Sequence, residues 1–177
     1  MSGTNFVVPP RSWDSIAAYT DDFREKLSVG TQSAFPIMTM IERVIDESDM
    51  ATLLIGDKHE MGRAEGYTCP KGTYIELRED VYYAAWRGDG RARFTAAHEL
   101  GHYFMHTNIP MARETMQRKA KPFELSEQQA NQFAAELLMP RSFFSGGDTP
   151  HSVMLRHEVS WTAAKSRLNF LQRKGLI

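Results

Sequence analysis

The densest group of reactive side chains in this chain is His98-Glu99-Leu100-Gly101-His102. In an α-helix each residue turns by about 100°, so positions four apart lie on nearly the same face, one turn apart. His98 and His102 can therefore reach one metal ion together. Glu99 stands at the edge of that face. A carboxylate beside the first of two such imidazoles is placed to take a proton from a water molecule rather than to bind the metal. The chemistry expected of this HExxH segment is zinc-assisted hydrolysis, with Glu99 as the catalytic carboxylate.

A hydrolytic zinc site needs a third protein ligand and leaves its fourth position to water. The extended pattern with a third histidine six residues after the second does not apply, because the chain has Met105 and Asn108 at the diagnostic positions. His106 lies about 12 Å along the helix from His98 at roughly 1.5 Å per residue, too far for a shared ion. The remaining candidates are Glu114, Glu124, Glu127 and Glu136. Glu127 is favoured. It opens the next predicted helix, and Ala130, Ala134 and Ala135 would let that helix come close. Asn131, four residues on, is expected to orient it. The predicted metal ligands are thus His98, His102 and Glu127, with Zn2+ as the cofactor. Tyr103, His151 and His157 are open candidates for stabilising a developing oxyanion. Cys69 reads as a small buried apolar side chain.

Several elements must position these groups. Ser12 caps a predicted helix over 13–29 with Trp13, Ile16, Ala17, Phe23 and Leu27 on its apolar face, and Gly30 stops it. A second helix starts near Phe35-Pro36, with Ile37, Met40, Ile41, Val44 and Ile45 at helical spacing. Extended segments are expected at 52–55, 66–69 and 73–77, the last two joined by the turn Pro70-Lys71-Gly72. Val81–Trp86 reads as a further strand or an irregular stretch. The active helix runs from about Arg91 to His106, packing through Phe94, Ala97, Leu100, Gly101 and Phe104. Residues 107–122 form a connection carrying Arg113, Arg118, Lys119 and Lys121, and could gate the site. Ser126 is the expected cap of the following helix, with Gln129 in the capping-box position, and Pro140 ends it. Helices near 150–158 and over 160–173 close the chain.

The bulk composition limits the function classes. The chain has 177 residues, enough for one domain with a real core. A net charge of -1 gives no global attraction to nucleic acid, and no direct nucleic-acid partner is expected. No stretch approaches the roughly 18 apolar residues that span a bilayer, so no membrane partner is expected. The single cysteine cannot form an intramolecular disulfide, which fits a reducing compartment. The segment Met1-Ser2-Gly3-Thr4-Asn5 has neither the basic nor the apolar region of a secretion signal. The expected location is cytoplasmic.

Three blocks of sequence resemble one family. The run from Arg93 to His106 is similar to the active helix of the ImmA/IrrE metallopeptidases. The run Glu127-Gln128-Gln129-Ala130-Asn131, continuing through Phe133-Ala134-Ala135 to Leu137-Leu138-Met139-Pro140, resembles that family's second motif. Val159-Ser160-Trp161 through Arg167-Leu168 to Ile177 resembles its closing helix. Where many members carry an acid just before the Ala-Asn pair, this chain has Gln129. The resemblance covers roughly residues 50–177. It implies a compact α+β, gluzincin-like metallopeptidase domain over 51–177, with a small antiparallel or mixed sheet packed on the active helix. Residues 1–50 would form a helical arm, too short to hold the DNA-binding domain that many members carry. The resemblance also implies His98, His102 and Glu127 as zinc ligands and Glu99 as general base. The implied partner is a protein substrate that receives a limited cut, such as a transcriptional repressor or regulator encoded nearby. The rival expectation is a zinc-binding stress-sensing or toxin–antitoxin partner module with little or no proteolysis.

Overall fold

A computed structural model describes residues 5–43, 51–113 and 119–177. Val44, Ile45, Glu114 and Arg118 lie outside the described residues. Among those described are eight α-helices and five short strands in an α+β arrangement.

The site is organised around α5 (Gly90–His106). Its start is set by Asp89, whose Oδ1 accepts from the N–H groups of Arg91 and Ala92 at 3.1 and 2.8 Å. Gly88 immediately before it has φ +85°, a conformation that favours glycine and turns the chain out of α4 (Glu79–Trp86). That helix corrects the expectation of a strand or irregular segment over Val81–Trp86. Glu79 and Asp80 favour a helical first turn, and Val81 and Ala85 bury one face at a spacing of one turn.

A sheet of three strands lies against α5, in the order β2 (Thr52–Gly56), β4 (Tyr74–Arg78), β3 (Gly66–Thr68). It is mixed. β2 runs parallel to β4 with Ile55 opposite Leu77, and β3 runs antiparallel to it with Tyr67 opposite Glu76. In the central strand the alternation places Ile75 and Leu77 in the core. The short helix α3 (Lys58–Met61) lies in the crossover. Strand β1 (Phe6–Val7) pairs antiparallel with β5 (Ala112–Arg113), so part of the long connection after α5 is an extended strand tied to the N-terminal segment.

On its other side α5 packs on α6 (Ser126–Leu138). Ala130, Phe133 and Ala134 of α6 are fully buried, and Gly101 of α5 faces the Phe133 ring. Ser126 is not the cap of α6 but its first residue. Leu125 occupies the cap position, and the Ser126 hydroxyl accepts from the Phe6 N–H at 3.1 Å. α1 (Trp13–Lys26) packs on α6 and is capped by Ser12, as expected. It ends sooner than Gly30, because Ser28 takes up the left-handed conformation, with φ +57°. α2 (Ile37–Ile41) supplies buried Ile37, Met38 and Ile41. α7 (Pro150–His157) and α8 (Trp161–Arg173) pack together and close the fold.

Three arginines are buried. Arg24 donates to Leu137 O at 2.8 Å, Arg93 to Phe35 O at 2.8 Å and to Glu158 O at 2.9 Å, and Arg167 to Met139 O at 3.0 Å and to the Glu136 carboxylate. Each ties separate segments together by donating to backbone carbonyls at or near helix ends.

Candidate metal centre

His98 and His102 project from one face of α5, and Glu127 projects toward them from the first turn of α6. The two Nε2 atoms are 3.0 Å apart. Glu127 Oε2 lies 3.4 Å from His98 Nε2, and Oε1 lies 3.3 Å from His102 Nε2. Ligands around a tetrahedral zinc at about 2.0–2.1 Å stand about 3.3 Å from one another. The two imidazole nitrogens and the nearer carboxylate oxygen of each lie at separations of that order, and one ligand atom from each residue lies within 4.8 Å of the others. Among the described residues this is the group of His, Cys, Asp and Glu side chains that could hold a metal ion. Two nitrogen donors and one carboxylate form a donor set suited to zinc. Burial raises the Glu127 pKa, but hydrogen bonds and charge from His102 and His98 outweigh it and hold the carboxyl well below the usual range.

The surroundings differ from expectation at several points. Asn131 does not orient Glu127. Its Oδ1 lies 3.0 Å from His98 Nδ1 and so fixes that ring. His106 is buried, with Nδ1 3.0 Å from His102 Nδ1, and is not part of the converging group. Burial pushes its imidazole down to about 4. Gln129 makes no capping box; it is fully buried and faces His106. Cys69 is half-buried beside the Thr73 hydroxyl rather than enclosed in the core. Tyr103, His151 and His157 do not line the cavity at the metal group. His157 is buried against Phe144 and bonded to Ser33 O at 2.7 Å.

Glu99 lines a cavity of about 400 Å3 together with His98, His102 and Glu127. Strand β3 holds it there. The Thr68 hydroxyl lies 2.8 Å from Glu99 Oε2 and 2.9 Å from the Glu99 backbone oxygen, so its single hydrogen serves one or the other. Gly66 lies against the same side chain, and a Cβ there would stand 2.6 Å from Glu99 Cγ. Gly66, Tyr67 and Thr68 line the candidate site, and sequence reading misses them. Their only signal is a short extended segment 31 residues before Glu99. Phe6 and Met111 also line the cavity.

Residues 45–169 match the Peptidase M78 family model, described as an IrrE N-terminal-like domain. The chain belongs to this family. The match contains α5, α6 and every residue of the converging group, as the resemblance to ImmA/IrrE metallopeptidases implies. The family is one of metallopeptidases, and this member brings together a His98, His102 and Glu127 group that could bind a metal. A search of curated proteins gave no match. Among the described residues no helix is long and apolar enough to cross a membrane.

Proposed function

We propose that the protein is a zinc-dependent endopeptidase that makes a limited cut in a specific intracellular regulatory protein, such as a transcriptional repressor. The observation that carries this reading is the convergence of His98, His102 and Glu127 in a cavity that Glu99 also lines. In this reading the two imidazoles and the Glu127 carboxylate hold Zn2+ and leave one position open. The bound metal would polarise the scissile carbonyl and acidify a water molecule.

Glu99 is the general base. Its carboxylate takes the proton of the attacking water and delivers it to the nitrogen of the leaving amine. The Thr68 hydroxyl restrains Glu99 Oε2, which limits the orientations the carboxylate samples. Gly66 leaves the room the Glu99 stem needs. Asn131 supports the reading by accepting from His98 Nδ1, which leaves Nε2 free to donate its lone pair.

The test is co-expression of the chain with the products of neighbouring genes, wild type against Glu99→Gln, followed by mass spectrometry of fragments. Wild type yields one defined pair of fragments. Glu99→Gln retains the metal and yields none. Equal cleavage by both would reject Glu99 as the base.

A further inference from the structure

A chain of hydrogen bonds runs behind the metal group, and the direction of each can be read from chemistry alone. Gln129 is fully buried. Its Nε2 lies 2.9 Å from Pro9 O and 2.8 Å from Phe123 O. Both partners are carbonyl oxygens, which only accept, so the amide NH2 faces them and uses both hydrogens there. The amide oxygen then faces His106 Nε2 at 3.0 Å. An amide oxygen only accepts, so His106 Nε2 carries a hydrogen. His106 is 2% exposed, and among the described residues its ring nitrogens meet only Gln129 and His102. A metal held by His102 Nε2 leaves the hydrogen of that ring on Nδ1, so in the metal-binding arrangement His106 Nδ1 is bare. His102 Nδ1, 3.0 Å away, must therefore donate to it. The remaining nitrogen of His102, Nε2, is left as a lone pair.

On the other ring, Asn131 Oδ1 sets the same tautomer in His98. Two bare Nε2 atoms then face each other at 3.0 Å with the Glu127 carboxylate alongside. In this tautomer a cation takes the place that hydrogens on the two Nε2 atoms hold against Glu127 when the site is metal-free.

We infer that His106 and Gln129 are positioning residues that lock His102 in the tautomer able to bind the metal, and that the N-terminal arm completes this relay through the carbonyl of Pro9. The inference rests on the metal reading proposed above and deepens it. The relay starts outside the stretch matched by the family model, which begins at residue 45. The arm is held in place by Val8 N donating to Glu124 O at 2.9 Å and Arg11 N to Phe123 O at 3.1 Å. If the amide of Gln129 lost its two carbonyl partners it could turn its NH2 toward His106. The relay would then run backwards and place a hydrogen on His102 Nε2, where the metal must bind.

The test uses the full chain and reads metal binding rather than turnover. Zinc affinity is measured by competition with a chromogenic chelator, Co2+ coordination by its visible spectrum, and folding of the metal-free chain by thermal denaturation. Gln129→Leu and His106→Leu each weaken zinc binding about 10- to 100-fold and alter the Co2+ spectrum. The double variant is no weaker than the worse single one, because the two residues act as one unit. Gln129→Glu does not recover the loss, because a carboxylate has no N–H for the carbonyls of Pro9 and Phe123 and its charge favours a second hydrogen on His106. Thr20→Val, which removes a buried hydroxyl bonded to Ala17 O on α1, lowers the melting temperature without changing zinc affinity. Unchanged zinc affinity and spectrum in the folded leucine variants would overturn the relay, as would wild-type affinity in Gln129→Glu. If a leucine variant does not fold, His106→Asn, too short to meet both neighbours, replaces it with the same two outcomes. Failure of the metal reading itself looks different. In that case wild type binds no zinc, or Glu127→Ala binds it as well as wild type does.

Discussion

Substitution of Gly101 by alanine tests how the packing of two helices sets the metal centre. Gly101 lies on α5 between Glu99 and His102, and a Cβ there would stand 3.0 Å from Phe133 Cδ1 and 3.2 Å from both Cβ and Cγ of that residue. Ordinary carbon contacts are about 3.5–4.0 Å, so the two helices must part by roughly half an ångström or the ring must turn. The ring has little freedom to turn. Phe133 is fully buried, with Tyr19 at 6.1 Å and Phe104 at 6.3 Å between ring centroids. Overpacking of this kind costs about 1–3 kcal/mol. Replacing a mid-helix glycine by alanine returns about 1 kcal/mol. The net loss is about 0–2 kcal/mol, which for a chain of this length lowers the melting temperature by up to about 8 °C. The same parting moves Glu127 relative to His98 and His102, and metal sites tolerate errors of only about 0.2 Å in ligand distance. Gly101→Ala therefore melts lower when metal-free and also binds zinc more weakly. Thermal denaturation with and without zinc measures both. A variant as stable as wild type with unchanged zinc affinity would refute the argument that the α5–α6 contact sets the ligand geometry.

Gly66→Ala should act on the base and not on the metal. The new methyl group meets Glu99 Cγ at 2.6 Å and Oε1 at 2.9 Å, so the carboxylate is displaced by about 1 Å, a shift that can cost about 100-fold in rate. Cleavage in the co-expression assay should fall sharply while zinc content stays at the wild-type level; loss of zinc with cleavage would place Gly66 differently. Acidification should expose the cost of burying His157. Burial pushes its imidazole down to about 4, whereas in the unfolded chain it titrates near 6.5. The unfolded state therefore binds the additional proton, and stability falls as pH drops from about 6.5 towards 4, by up to about 3 kcal/mol from this residue. Urea denaturation at pH 7 and pH 5 should show His157→Gln losing less stability on acidification than wild type, and equal losses would contradict the assignment.

The pair His98 and His102 was legible because both lie on one helix, where spacing alone decides which side chains share a face. Glu127 was reachable because α6 follows α5 and carries small residues that permit a close approach. The wall around Glu99 was not legible. Gly66 and Thr68 come from a strand whose register against α5 is set by tertiary packing, and no local pattern records it. The same limit applies to the relay. Gln129 sits three residues after Ser126, a spacing that reads as a capping box, yet the Ser126 hydroxyl is taken by the arm and Gln129 turns inward to His106. Residues 81–86 misled for a different reason. Val81, Tyr82 and Tyr83 favour strands intrinsically, and burial of Val81 and Ala85 on one helical face overrides that preference.

The account turns on one ion held jointly by α5 and α6. Crystals of the zinc-loaded chain, with anomalous scattering recorded on both sides of the zinc absorption edge, test it most directly. The predicted result is one strong anomalous peak within about 2.2 Å of His98 Nε2, His102 Nε2 and a Glu127 oxygen. A peak elsewhere, or an ion bound by the two imidazoles with Glu127 turned away, would contradict it.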